Sequence, residues 1–103
     1  MGRKHATKSA KSTKAINEAF GKALRMLRES KQWSQEEFAR QCELDRTYIS
    51  LIERGKQSPT LRNVQIFCRG LDISLVELFA LVEKNLPHDK YHCTSAGTAK
   101  SGR

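Results

Sequence analysis

The chain has no run of about 18 apolar residues, so nothing in it is long enough to span a membrane. Its first residues are basic, but no apolar stretch follows them, which argues against a secretory signal. Met1-Gly2 opens like a myristoylation site, yet that pattern wants Ser or Thr where Ala6 stands. There is no CxxC pair. The three cysteines, Cys42, Cys68 and Cys93, are far apart and odd in number, which speaks against a disulfide framework and for a reduced, cytoplasmic chain. His88, His92 and Cys93 lie near one another, but three ligands without a fourth are a weak signal, and no metal is expected. Neither GxGxxG nor a Walker pattern occurs. The three histidines, His5, His88 and His92, fall near the two ends. With no nucleophile, base and orienting group to place together, the sequence predicts no enzyme and no cofactor.

What is present is positive charge, unevenly spread. The 103 residues suffice for one small domain, with a net charge of +8 and a pI of about 9.8. Such a balance favours an anionic partner. Residues 1–15 hold Arg3, Lys4, Lys8, Lys11 and Lys14 and no acid. Residues 16–84 hold 11 bases against 10 acids, and residues 85–103 hold Lys90, Lys100 and Arg103 against Asp89. Three regions follow from this. Residues 1–15 are predicted to be a disordered basic arm, residues 16–84 the folded domain, and residues 85–103 a flexible polar tail. The arm reads either as a solubilising segment or as a contact for DNA phosphates or a groove. Because the folded part is nearly neutral, any nucleic-acid reading of it must rest on where its charges sit.

Hydrophobic periodicity predicts five helices and an all-α fold. Residues 17–31 repeat apolar side chains at three- and four-residue steps through Phe20, Ala23, Leu24 and Leu27, with Asn17 able to cap the start. Ser34 with Glu37 is a capping box, opening a second helix whose buried face is Phe38, Ala39 and Cys42. After Glu43-Leu44, Asp45 can cap a third helix that stops at Gly55. Two short helices about three residues apart match a helix-turn-helix. Thr60 can cap a fourth, with Leu61, Val64, Phe67 and Cys68 inward and Gly70 ending it; Ser74 and Glu77 open a fifth. The fifth helix carries Leu75, Val76, Leu78, Phe79, Leu81 and Val82, more apolar surface than one small bundle can bury. A homodimer interface built from Leu75, Leu78, Phe79 and Val82 would cover the surplus.

The third helix, within DRTYISLIERGK, is the stretch most suggestive of function. At roughly 100° per residue, Ile49, Ile52 and part of Tyr48 fall on one side. Arg46, Thr47, Ser50, Leu51 and Arg54 fall on the other. An ordinary solvated face is more often rich in Glu and Lys. Hydroxyls, guanidinium groups and a methyl-rich side chain are groups that read DNA edges and backbone.

Residues 20–79, FGKALRMLRESKQWSQEEFARQCELDRTYISLIERGKQSPTLRNVQIFCRGLDISLVELF, resemble the lambda-repressor/Cro-like DNA-binding domains, also called the XRE family. Within that family, LDRTYISLIERGK looks most like the controller proteins of restriction–modification systems. The resemblance implies a homodimeric transcription regulator bound to an inverted-repeat operator in double-stranded DNA. Arg46, Thr47, Ser50 and Leu51 would contact bases, and Gln35, Tyr48, Arg54, Lys56, Gln57 and Ser58 phosphates. The sequence departs from the family at Glu43, where many members place Gly; a left-handed backbone there would cost roughly 1 kcal/mol. With no ligand-binding segment after the fifth helix, no small-molecule effector is expected. The competing reading is an antitoxin or adaptor whose main partner is another protein.

Overall fold

The computed structural model describes the backbone of residues 2–87 and the side chains of residues 13–87. Its elements are α1 (Gly2–Ser30), α2 (Gln35–Cys42), α3 (Arg46–Glu53), α4 (Leu61–Leu71) and α5 (Leu75–Asn85). The described residues contain no strand, as the periodicity predicts. His88, His92, Cys93 and the polar tail beyond Pro87 lie outside the described residues.

Both predicted capping boxes form. Ser34 and Ser74 accept from the backbone N–H of Glu37 and Glu77, and each glutamate reaches back to its cap N–H. Thr60 caps α4 through the N–H of Asn63 at 3.1 Å. Asp45 occupies the N-cap of α3 but makes no side-chain cap bond. α1 is one continuous helix from Gly2, so it starts within the stretch predicted as a disordered arm, and Asn17 is an interior residue instead of a cap. The Asn17 side chain instead accepts a 2.7 Å hydrogen bond from Ser58. Gly70 likewise does not end α4. A Cβ there would stand 3.0 Å from the Cys42 sulfur, so the glycine lets α4 cross close to α2, and α4 runs on to Leu71 with Asp72 as its C-cap.

The core is built from all five helices around Phe38 of α2 and Phe67 of α4, both fully buried. Phe67 is its aromatic centre: Phe38, Phe20 and Tyr48 lie with ring centroids 5.7, 6.2 and 6.3 Å from it. Cys42 and Cys68 are free, buried core residues, and burial pushes the Cys42 thiol up to about 11. Two expectations about apolar residues need correction. Leu61 points outward, 81% exposed, because it is the first residue of α4 and precedes the buried stripe that begins at Val64. Leu78 and Val82, placed above at a dimer interface, belong to the monomer's own core at 0% and 2% exposure. They occupy the side of α5 that packs on α1, while Leu75, Val76 and Phe79 remain exposed.

The turn between α2 and α3 passes through the left-handed region in spite of its side chain. Glu43 sits at φ 57° and ψ 42°, the left-handed region, and its N–H bonds the Arg40 carbonyl while that of Leu44 bonds Ala39. The strain is borne locally. Glu43→Gly should raise stability by about 1 kcal/mol, read as a higher midpoint in urea with an unchanged slope. An unchanged or lower midpoint would show that Glu43 makes compensating interactions.

Candidate nucleic-acid interface

The side chains that hold α3 in place determine what it presents. Ile49 and Ile52 are fully buried and anchor one side of the helix. Tyr48 is half-buried: its ring stacks on Phe67, and its hydroxyl accepts from the Asn63 side-chain amide at 2.9 Å. With that side fixed, Arg46 and Thr47 project into solvent at the first turn, and Ser50 and Leu51 sit half-buried behind them. The Arg54 Nε donates to the Ser50 hydroxyl at 3.2 Å, tying two candidate readers together. Lys56 and Gln57 are exposed just beyond the helix, where Gly55 turns the chain at φ 72°. Ser58 is exposed, but its hydroxyl is committed to Asn17.

One group was missed by the sequence reading. Arg28, on the core side of α1, makes a two-point ion pair with Glu53 at the end of α3: Nε to Oε2 at 2.7 Å and Nη2 to Oε1 at 3.0 Å. The side chains are 10% and 3% exposed. The remaining Arg28 nitrogen donates to the Trp33 carbonyl at 2.7 Å, and Gln35 Nε2 donates to Glu53 Oε1 at 3.0 Å. The hydrogen bond to Glu53 holds the guanidinium charged beyond arginine's usual range, against the opposing effect of burial. Three elements therefore meet at one carboxylate, and Gln35 is already oriented by it. The available signal was two opposite charges at core spacing, Arg28 four after Leu24 and Glu53 four after Ile49.

The candidate residues follow one another from the first turn of α3 onward. Arg46 and Thr47 lead, Ser50, Leu51 and Arg54 follow one turn later, and Lys56 and Gln57 flank them. At the start of α2, the N–H groups of Gln35 and Glu36 precede the one that Ser34 caps and have no intrahelical acceptor, the arrangement that suits an anion. Glu36 and Glu37 in the same turn oppose that charge. Donors and a methyl-bearing side chain on an exposed helix match the hydrogen-bond pattern of base edges in the major groove. No described helix is long and apolar enough to cross a membrane.

The fold has relatives among known proteins. The helix-turn-helix family HTH_3 matches residues 24–78, which holds all of α2, α3 and α4. Control protein C.MunI of a Mycoplasma species is 50% identical over 66 residues, which are 63% of this chain and 89% of that one. The crystal structure of the restriction–modification controller C.AhdI from Aeromonas hydrophila superposes with a TM-score of 0.59 at 40% identity, over 60% of this chain and 94% of that one. The controller C.Esp1396I, solved as a tetramer with its natural 35 base-pair operator, superposes with a TM-score of 0.64 at 31% identity, over 68% of this chain and 92% of that one. This chain belongs to the HTH_3 helix-turn-helix family of XRE type, DNA-binding transcription regulators and not enzymes, and restriction–modification controllers are among its relatives.

Proposed function

We propose that the protein is a restriction–modification controller that binds an inverted-repeat operator as a homodimer and reads it with α3. The observation that carries this is the orientation of α3: buried Ile49 and Ile52 turn Arg46 and Thr47 outward at its first turn. Arg46 offers two parallel donors to guanine O6 and N7, Thr47 and Ser50 offer hydroxyls, and Leu51 meets a thymine methyl. Gln35, Arg54, Lys56 and Gln57 set register on phosphates. Tyr48 and Ser58 contribute as well, by sharing hydroxyls already engaged with Asn63 and Asn17. Nothing in this scheme calls for a small-molecule effector. Control runs through protein concentration, by dimerisation and occupancy of adjacent sites.

The second copy covers an apolar patch. Ile16, Leu61 and Phe79 line a shallow groove of about 230 Å³ with Phe20, Pro59 and Val64. Leu75 stands one turn before Phe79, and Val76 beside it is 78% exposed. The interface is therefore the exposed side of α5 with the start of α4, and Leu78 and Val82 support it from beneath. Leu61→Glu with Val76→Glu should convert a dimer to a folded monomer in sedimentation at micromolar concentration, since neither side chain supports the core. A wild-type monomer under those conditions sinks the homodimer.

The test of the function is selection from a random duplex pool at about 150 mM salt, where non-specific contacts are weakened. Enrichment of an inverted repeat with half-site centres about 10 base pairs apart is expected. Arg46→Ala should then cost about 1–3 kcal/mol on that site and flatten preference at one position of each half-site. If no sequence is enriched, the α3 surface is better read as a protein contact, as in an antitoxin or adaptor.

A further inference from the structure

We propose that the basic N-terminal stretch of α1 is a second DNA contact, gripping duplex phosphates outside the half-sites; this rests on the DNA-reading role assigned above to α3. Arg3, Lys4, Lys8, Lys11 and Lys14 have no acid among them, whereas residues 16–84 are nearly balanced. At roughly 100° per residue, these five positions fall within one arc of about 140°. The bases therefore keep the repeat of the helix that runs through them. An ordinary solvated helix interleaves acids at four-residue steps, as Arg25 and Glu29 do further along.

The helix is fastened beside the reading surface. The Gly21 backbone abuts the carbonyls of Ile52 and Glu53 at the end of α3, where an added Cβ would stand 2.5 Å from each. Gly55 abuts Glu18, and Asn17 holds Ser58. Thus α1 passes the end of α3 and the loop bearing Lys56 and Gln57, and its basic stretch continues N-terminally from that point. The stretch also lies outside the shared reading apparatus. The family match begins at residue 24, and 60% of this chain already accounts for 94% of C.AhdI.

Duplex DNA, with about one charge per 1.7 Å of axis, is the polyanion that such a row fits. An acidic membrane would require an apolar face at the same spacing, and residues 2–14 supply only Ala6 and Ala10.

The test compares the full chain with its Lys4→Gln, Lys8→Gln, Lys11→Gln variant. Affinity is measured against salt on three duplexes: a selected inverted repeat with flanks, the same repeat trimmed to its half-sites, and a scrambled sequence of the longer length. The bound homodimer carries six of these lysines; if each neutralises one phosphate, the salt slope on long duplexes falls by about 5.4 in the variant. The wild type then loses about 1,800-fold more affinity than the variant between about 50 and 200 mM salt. The change should be equal on selected and scrambled DNA and absent on the trimmed site. Identical slopes with site preference intact overturn this contact and leave the α3 reading standing. A variant equally weakened on the trimmed duplex overturns its placement on the flanks. If the wild type itself prefers no sequence, the α3 reading fails, and this contact, which rests on it, falls too. Unchanged thermal midpoints confirm that the variant is folded.

Discussion

Arg28→Ala lowers the stability of the domain by about 3–5 kcal/mol, the largest effect expected of any single substitution here. The arginine is 8% exposed, and three of its hydrogen bonds reach the Glu53 carboxylate and the Trp33 carbonyl. Removing it strands a carboxylate whose side chain is 3% exposed, with only Gln35 left to pair it. Desolvation that the ion pair offsets in the native protein then falls on Glu53 alone. For a domain of this size, where each kcal/mol moves the midpoint by about 4–8 °C, the melting temperature should drop by at least 12 °C. A fall of under about 1 kcal/mol would show that water reaches Glu53 and that the pair behaves like a surface one. Replacing both partners, Arg28→Met with Glu53→Leu, should recover most of the loss, because no buried charge remains. Gln35 then loses its anchor. That variant is expected to fold well and to bind DNA less well, which separates the role of the pair in stability from its role in aiming α2 and α3.

Gly21→Ala is the second. By helix propensity it should stabilise α1 by about 1 kcal/mol. The structure reverses that sign. The new methyl would meet two backbone oxygens, Ile52 and Glu53, at 2.5 Å, and neither is the end of a flexible side chain. α1 and α3 must separate, loosening the Arg28–Glu53 pair that bridges them. A net loss of about 2–3 kcal/mol is expected in urea unfolding, as for other overpacked cores. DNA affinity should weaken as well, since α3 is displaced as a body. A gain in stability would mean that the two helices slide apart without strain. The same contact explains why Gly21 stands in mid-helix, where the sequence alone marks it only as unfavourable.

Much of the fold is legible because local signals agree with one another. Ser34 and Ser74 begin helices since each has a glutamate three residues on, and that chemistry is complete within four residues. The outward face of α3 is legible for the same reason: Ile49 and Ile52 fix it by spacing alone. What failed depends on partners distant in sequence. Asn17 looks like a cap until the helix is seen to run through it and Ser58 to claim its side chain. Gly70 looks like a stop, but the approach of Cys42 is what requires it. The surplus of apolar residues on α5 is correctly seen as a surplus, yet only packing against α1 decides that Leu78 and Val82 go inside and that Leu75 and Phe79 stay out. Arg28 and Glu53 are 25 residues apart, and neither carries a local sign of the other.

The junctions between helices carry a last consequence. All four turn through a left-handed residue: Gln32 after α1, Glu43 after α2, Gly55 after α3 and Asp72 after α4. Only one of the four is glycine, so three positions each hold roughly 1 kcal/mol of backbone strain. Against a total of about 5–15 kcal/mol for a native domain, that raises the open fraction of the chain by about two orders of magnitude. In a cell, that fraction is what proteases degrade. Half-life, and with it the standing number of molecules per cell, is thus partly written into three turns that lie outside α3. For a regulator proposed to act through its own concentration, the timing of a genetic switch then depends on the backbone angles of Gln32, Glu43 and Asp72.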